Sequence, residues 1–272
     1  MRSSRLPIEL YEAIIGQVPE DSDKDTLRAC CLACKALFPA SRKRLYRYIA
    51  LSNARTIKLL IRTVTHPVSF LPNPSPLVEH LHCQYMRRSN HYALRSLAFY
   101  LPEVKVLEFE GQRWTEVETS FVSGFRQVQS LRLHYVSFSD ALQFGQLAAA
   151  VPSLTHLDCT NVVWPDDIQP MSNSLPSSLQ VIQMPGHRAK FFTDLLKVQP
   201  LPGLRSIKLC PVGKKVTAEV APINELFSLI GPSLQSVSLW AMSPDGPMCS
   251  MHARLVGTGM SCVSCSKACI ES

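Results

Sequence analysis

One spacing constrains this chain more than any other feature. Leu154, Leu157 and Cys159 form an apolar triad with two residues and then one residue between its members, and the same spacing returns six more times. The other triads are Val78/Leu81/Cys83, Val104/Leu107/Phe109, Val128/Leu131/Leu133, Leu179/Ile182/Met184, Leu204/Ile207/Leu209 and Leu234/Val237/Leu239. Their first members stand at 78, 104, 128, 154, 179, 204 and 234, so the steps are 26, 24, 26, 25, 25 and 30 residues. All 21 positions are apolar in a chain that is 46% apolar. The residue between the last two apolar members is polar in every copy: His82, Glu108, Arg132, Asp158, Gln183, Lys208 and Ser238. Neighbouring side chains on a strand point to opposite faces. The triads therefore face inward, and the polar column faces water or a partner.

A period of roughly 20–29 residues with this spacing is the signature of a leucine-rich-repeat solenoid. Helical stretches fall between the triads at 90–100, 115–125 (Thr115 and Glu118 as a capping box), 139–150 (Ser139 as cap), 188–198 and 222–230. Strand, helix and parallel strand make a right-handed coil, and stacked coils bury one another's triads. The expected fold class is α/β, with a right-handed solenoid and a parallel concave sheet over residues 51–242. The repeat is irregular: Gln112, Val136, Val162, Val212 and Met242 stand where many such repeats carry an asparagine ladder.

Residues 6–49 follow a different pattern. Leu6-Pro7-Ile8-Glu9-Leu10 opens a helix with proline in its first turn, where a missing N–H costs nothing. Leu10, Ile14 and Ile15 form one stripe, and Val18-Pro19 ends it. An acidic loop at 20–25 follows, with Asp25 as expected cap of a helix over 26–34, and Pro39 opens a third helix carrying Leu45 and Tyr46. Leu6-Pro7-x-Glu9-Leu10…Ile14-Ile15, the stretch Leu27-Arg-Ala-Cys-Cys-Leu-Ala-Cys34 and the basic run ending Leu45-Tyr46 together resemble the three-helix F-box. Helices of that motif dock on the Skp adaptor of SCF-type cullin–RING ubiquitin ligases. The resemblance implies an F-box unit over residues 1–50, with Leu6, Pro7, Leu10, Ile14, Leu27, Cys31 and Leu32 at the adaptor interface. This chain departs from the pattern in its longer acidic loop and in Cys30, Cys31 and Cys34, where larger aliphatics are commoner. So short a helical unit has too little core to stand alone. Its leftover stripe points to a partner or to packing on the first repeat. An F-box followed by leucine-rich repeats resembles the substrate-receptor class of F-box proteins.

Between the two parts, residues 46–51 alternate like a strand and Asn53 can cap a helix over 54–64, which makes an irregular opening coil. Four prolines within 66–76 make that segment a loop. On the concave face, Glu108, Arg132 and Asp158 alternate in sign on neighbouring strands. One reading is a self-paired surface ladder. The other is a substrate-reading patch, with Arg132 and Lys208 taking an acidic or phosphorylated segment and Trp240 as aromatic anchor. Candidate substrate-binding residues are His82, Glu108, Arg132, His134, Asp158, Lys208 and Trp240. His80-Leu81-His82 looks like a ligand pair, but alternation leaves both rings on an open face, where they read as solvated histidines with no carboxylate nearby.

The net charge of +7 is mild and spread out, with one cluster at Arg42-Lys43-Arg44 and Arg47 that reads as a solvated helix face; nucleic acid is not expected as a partner. Ten cysteines without an apolar leader fit a reducing compartment, and Cys83 and Cys159 occupy inward positions. No run approaches the roughly 18 apolar residues of a membrane span. A soluble cytoplasmic or nuclear protein is expected. Residues 243–272 carry no triad and read as an irregular or disordered tail. There, Cys262, Cys265 and Cys269, with Cys249 or His252, give only a weak zinc signal, and neither metal nor cofactor is expected. No phosphate loop, nucleophile elbow or H-E-x-x-H is present in the sequence. The expected function is a non-catalytic substrate receptor that binds a Skp-type adaptor, and through it the cullin ligase core, by its F-box and a target protein by the concave face. The alternative is a repeat scaffold that works outside any ligase.

Overall fold

The computed structural model describes residues 7–18, 23–66, 73–86, 91–160, 162–163, 175–185, 189–210, 220–230, 233–241, 249–256 and 259–267. Three helices come first: α1 (Ile8–Gly16), α2 (Lys24–Ala33) and α3 (Phe38–Arg47). Asp23 caps α2, accepting from the Thr26 N–H at 3.1 Å. The cap thus lies two residues before Asp25, which sits inside the first turn and pairs with Arg28 at 2.7 Å. Among the described apolar side chains of these helices only Ile15 and Leu27 are buried, so polar ties do much of the joining. The Arg44 guanidinium donates to the Val18 carbonyl at 2.6 Å, linking α3 to the end of α1. Arg42 is buried against the rings of Phe38 and Tyr46, and Arg47 reaches Glu79 at 2.9 Å. The basic cluster is therefore not simply a solvated face: Arg42 is buried against rings of its own helix, Arg44 ties α3 to the end of α1, and Arg47 ties α3 to the first repeat.

The solenoid follows as β1 (Tyr48–Leu51), α4 (Ala54–Thr65), β2 (His80–Gln84), α5 (His91–Tyr100), β3 (Val106–Glu110), α6 (Glu116–Val122), β4 (Ser130–His134) and α7 (Ala141–Ala149). It continues through β5 (His156–Asp158), β6 (Val181–Pro185), α8 (Ala189–Val198), β7 (Ser206–Cys210), α9 (Val220–Ile230) and β8 (Ser236–Ala241). Strands β1 to β8 pair in parallel and in chain order. This is the expected α/β repeat solenoid, with β1 as an eighth parallel strand. The register places Leu81, Leu107, Leu131, Leu157, Ile182, Ile207 and Val237 in one row, and none of them is more than 1% exposed. Just before each strand from β3 to β8 one residue repeats the same bond to the coil before it. The N–H groups of Lys105, Gln129, Thr155, Gln180, Arg205 and Gln235 donate to the carbonyls of Glu79, Lys105, Gln129, Thr155, Gln180 and Arg205 at 2.8–2.9 Å. The triads and the helices share one apolar cluster running from Leu51 to Val237, with Ile57, Leu97, Phe192 and Leu226 contributed by helices.

Asn53 and Thr56 form a reciprocal capping box on α4, and Glu118 accepts from the Thr115 N–H at 2.9 Å. The cap of α7 is Asp140 rather than Ser139, accepting from the Gln143 N–H at 2.8 Å, while the Gln143 side chain takes the Ser139 N–H at 3.0 Å. The proline-rich loop holds one short 3-10 turn, Ser75–Leu77. Immediately after β2, β3 and β4 the backbone turns left-handed at Tyr85, Gly111 and Tyr135 (φ 46°, 66° and 52°).

The tail differs from expectation. Within 243–272, β9 (Cys249–Val256) pairs antiparallel with β8, and β10 (Gly259–Lys267) pairs antiparallel with β9. An antiparallel pair needs only alternation, not a triad. Met251/Ala253/Leu255 against Ser250/His252/Arg254, followed by Gly257-Thr258, supplies that pattern. The pair also covers what would be an open edge at β8. Among the described residues no helix is long and apolar enough to cross a membrane.

Candidate functional site

Because the helices share the cluster formed by the triads, the other face of the sheet is left open. There the register sets His82, Glu108, Arg132, Asp158, Gln183, Lys208 and Ser238 side by side in one row. The row divides into two environments.

On β2 to β4 the polar groups bond to each other. Glu108 lies 2.9 Å from His80 Nε2, 3.6 Å from His82 Nε2, 3.7 Å from Arg132 and 3.8 Å from His134 Nε2. Glu110 is 3.2 Å from His82 Nε2 and accepts from the Gln84 amide at 2.9 Å. His82 Nδ1 meets the Tyr48 hydroxyl at 2.6 Å. With two carboxylates beside Nε2, the neutral ring carries its proton there, and Nδ1 accepts from Tyr48. The histidines are therefore not solvated, and carboxylates stand close by: they arrive from β3, one strand over, where reading along β2 alone does not show them. His82 is only 5% exposed. That burial pulls its pKa below the usual histidine value, with His80 adding to the effect and Glu108 and Glu110 opposing it. For Glu108, burial pushes upward but is outweighed by the bond from His80 and the charges of His82, His80 and His134, so its carboxyl is held below the ordinary range. His82 and Glu108 thus fix the geometry of the network, and Arg132 and His134 are its more exposed members.

On β4 to β7 the face sinks into a depression of about 300 Å³ lined by Arg132, His134, His156, Asp158, Gln183 and Lys208. Asp158 is turned back into its own chain, its Oδ1 accepting from the Thr160 N–H at 3.0 Å and from the Thr160 hydroxyl. Gln183 donates to the same hydroxyl oxygen at 3.2 Å. Among the described residues the ion-pair contact of Arg132 is with Glu108, not Asp158. The sign-alternating ladder is thus paired on one side only; Arg132, shared with Glu108, and Lys208 both line the depression. His156 was missed among the candidates. Its place beside Arg132 in the neighbouring column, diagonally across from Lys208, is the signal that finds it. Burial lowers its pKa, and the Lys208 and Arg132 charges lower it further. Trp240 lies on β8 with Ser250 opposite; its side chain is outside the described residues.

The N-terminal helices offer a second surface of apolar character. Pro7, Ile8, Leu10, Ile14 and Leu32 are exposed, and Leu10 and Ile14 share a helix face at i, i+4. Cys31 is half-buried, and burial pushes its thiol up, with Cys30 adding to the shift and Arg42 opposing it. Leu27, expected at the adaptor interface, is fully buried and serves the hairpin's own core. Leu6 lies outside the described residues. Among the described residues no three histidine, cysteine, aspartate or glutamate side chains are placed to hold a metal ion. The side chains of Cys249, His252, Cys262 and Cys265, and Cys269 as a whole, lie outside them.

No protein-family model matches the chain, and no curated protein does. Among solved structures it is similar to a chain in the crystal structure of the Rad7 and Elc1 complex in yeast, at 10% identity, with 84% of this chain and 86% of that chain covered and a TM-score of 0.28. A likeness at that score carries no argument about fold or function.

Proposed function

We propose that this chain is a non-catalytic substrate-recognising subunit of an SCF-type ubiquitin ligase. Helices α1 to α3 hold a Skp-type adaptor and thereby the cullin core, and the open face of the sheet holds a target protein. What it contributes is proximity: target lysines are kept at high effective concentration near the ubiquitin-loaded enzyme. The observation carrying this reading is the pairing of two unlike surfaces on one connected body, an apolar one on the helices and a polar one on the sheet. They are joined through Arg47–Glu79, through Lys24 over the Tyr48 ring at 5.1 Å, and through Tyr48 to His82. A scaffold outside any ligase is the second reading, favoured by the burial of Leu27 and Ile15, which lets the helices act as a cap on the solenoid.

The test uses the intact chain and purified Skp adaptor. On the ligase reading the adaptor binds, and R132E/K208E leaves that binding intact while changing the set of proteins found beside the chain by proximity labelling. Absence of adaptor binding by a folded chain removes the ligase reading and leaves the scaffold.

A further inference from the structure

We propose that His156 is the proton-coupled third member of an anion site in the β4–β7 depression: an anionic group of the target, seated between Arg132 and Lys208, is held by His156 only once the ring takes up a proton. The inference rests on the reading of the open face as the surface that meets the target.

The hydrogen-bond network assigns the tautomer. Thr155 Oγ1 donates to the Gln129 carbonyl at 3.0 Å and stands 2.8 Å from His156 Nδ1. A hydroxyl has one proton. With that proton committed to Gln129, Thr155 can only accept from Nδ1. The neutral ring is thus the Nδ1–H form, and its Nε2 is an acceptor. An acceptor between two cations repels an anion; a protonated Nε2 donates to it.

The charge count points the same way. The depression carries two fixed cations, Arg132 and Lys208, against one carboxylate, Asp158. From β4 come Arg132 and His134, from the histidine's own strand Asp158, from β7 Lys208, while β6 contributes the uncharged Val181 and Gln183. His134 leans toward Glu108 on the far side. Asp158 within the depression and Glu108, paired with Arg132 at 3.7 Å from β3, offset much of the charge of the two cations. The fixed charges alone therefore do not balance an anion; a proton on His156 adds one positive charge to the site. Burial, with the Lys208 and Arg132 charges adding to it, disfavours the protonated ring in the empty site, so the proton is taken up with the anion. Capture therefore strengthens as pH falls.

The intact chain is titrated with sulfate, which remains a dianion across the range, and in separate arms with inorganic phosphate and acetate. The His156 ring is followed by nitrogen–proton NMR. A bound opposite charge beside the ring raises its titration midpoint by about one pH unit, so sulfate binds a few-fold more tightly at roughly pH 6 than at roughly pH 8, approaching about tenfold well below the empty ring's midpoint. H156Q binds sulfate equally at both, and R132Q/K208Q loses binding at both while keeping the wild-type melting temperature. A larger effect of sulfate and phosphate than of acetate assigns the source to a phosphorylated side chain, the reverse ranking to a carboxylate, and either supports the site. A midpoint unmoved by all three anions overturns the proposal, as does pH dependence that survives in H156Q. No ligase component enters the experiment, so a chain that fails to bind the adaptor can still pass, and one that binds it can still fail.

Discussion

Replacing Ile14 and Leu32 together by alanine removes apolar surface that the folded chain leaves in water, since the two residues are 54% and 87% exposed. Full burial of a leucine or isoleucine side chain is worth about 2 kcal/mol. Scaled by those exposures, and with the alanine methyl retained, an adaptor covering both loses about 2 kcal/mol, or roughly 30-fold in Kd. Folding stability changes by no more than about 0.5 kcal/mol, because neither side chain belongs to a core. Titration calorimetry against a purified Skp adaptor reads the first quantity and urea unfolding the second. The control is Leu27→Ala: that residue is fully buried, so its truncation costs stability directly, by about 2–5 kcal/mol. An unchanged Kd in I14A/L32A, or a loss of stability without a loss of affinity, refutes the assignment of these side chains to a partner.

Three further outcomes follow from the fold. Leu157→Ala costs about 2–5 kcal/mol in urea unfolding, whereas His156→Ala, its exposed neighbour on the same strand, stays within about 0.5 kcal/mol. Gly111→Ala destabilises by about 1 kcal/mol, because its left-handed backbone disfavours a Cβ. An added Cβ there also meets the Tyr85 ring; shortening that ring with Tyr85→Ala relieves the clash but leaves the backbone cost. The histidine and glutamate network makes the fold acid-labile. His82 and Glu108 both have folded pKa values below their ordinary ones near 6.5 and 4.5, so in acid the unfolded chain binds more protons than the folded one and stability falls with pH. The urea midpoint drops first as pH passes below about 6.5 and again below about 4.5; H82Q shrinks the first step, and the part that remains comes from His156.

The parts of the fold legible in the sequence are those set by a repeated physical demand. Every coil must bury a triad, so the step between Leu81, Leu107, Leu131 and their successors survives irregular loops, and the polar row opposite them comes with it. Caps are less legible because adjacent residues compete: Asp23 and Asp25, or Ser139 and Asp140, carry equivalent acceptors, and the path of the backbone decides between them. The β9–β10 pair carries no triad to mark it, because alternation alone suffices for an antiparallel pair. The histidine network needs two strands to be read at once. His80 and His82 find Glu108 and Glu110 only across the β2–β3 register, although the columns that place Arg132 beside Asp158 already contain that pairing. Phe38, Arg42 and Tyr46 are spaced at i, i+4 and i+8 on α3, so their contact is legible once the helix is placed, whereas the burial of Arg42 is not.

Cys83 and Cys159 report most directly on the alternation from which both surfaces follow. Each is the third member of a triad and fully buried, and burial pushes both thiols well up, with the Asp158 charge adding to the shift of Cys159; Cys34, on the helical unit, is exposed. Timed alkylation of the native chain, read residue by residue by mass spectrometry, is expected to modify Cys34 at once. Cys83 and Cys159 are expected to react only as fast as the solenoid opens, at least about 100-fold more slowly. Modification of Cys83 and Cys159 at the rate of Cys34 would contradict an inward-facing triad, and with it the open polar face on its other side.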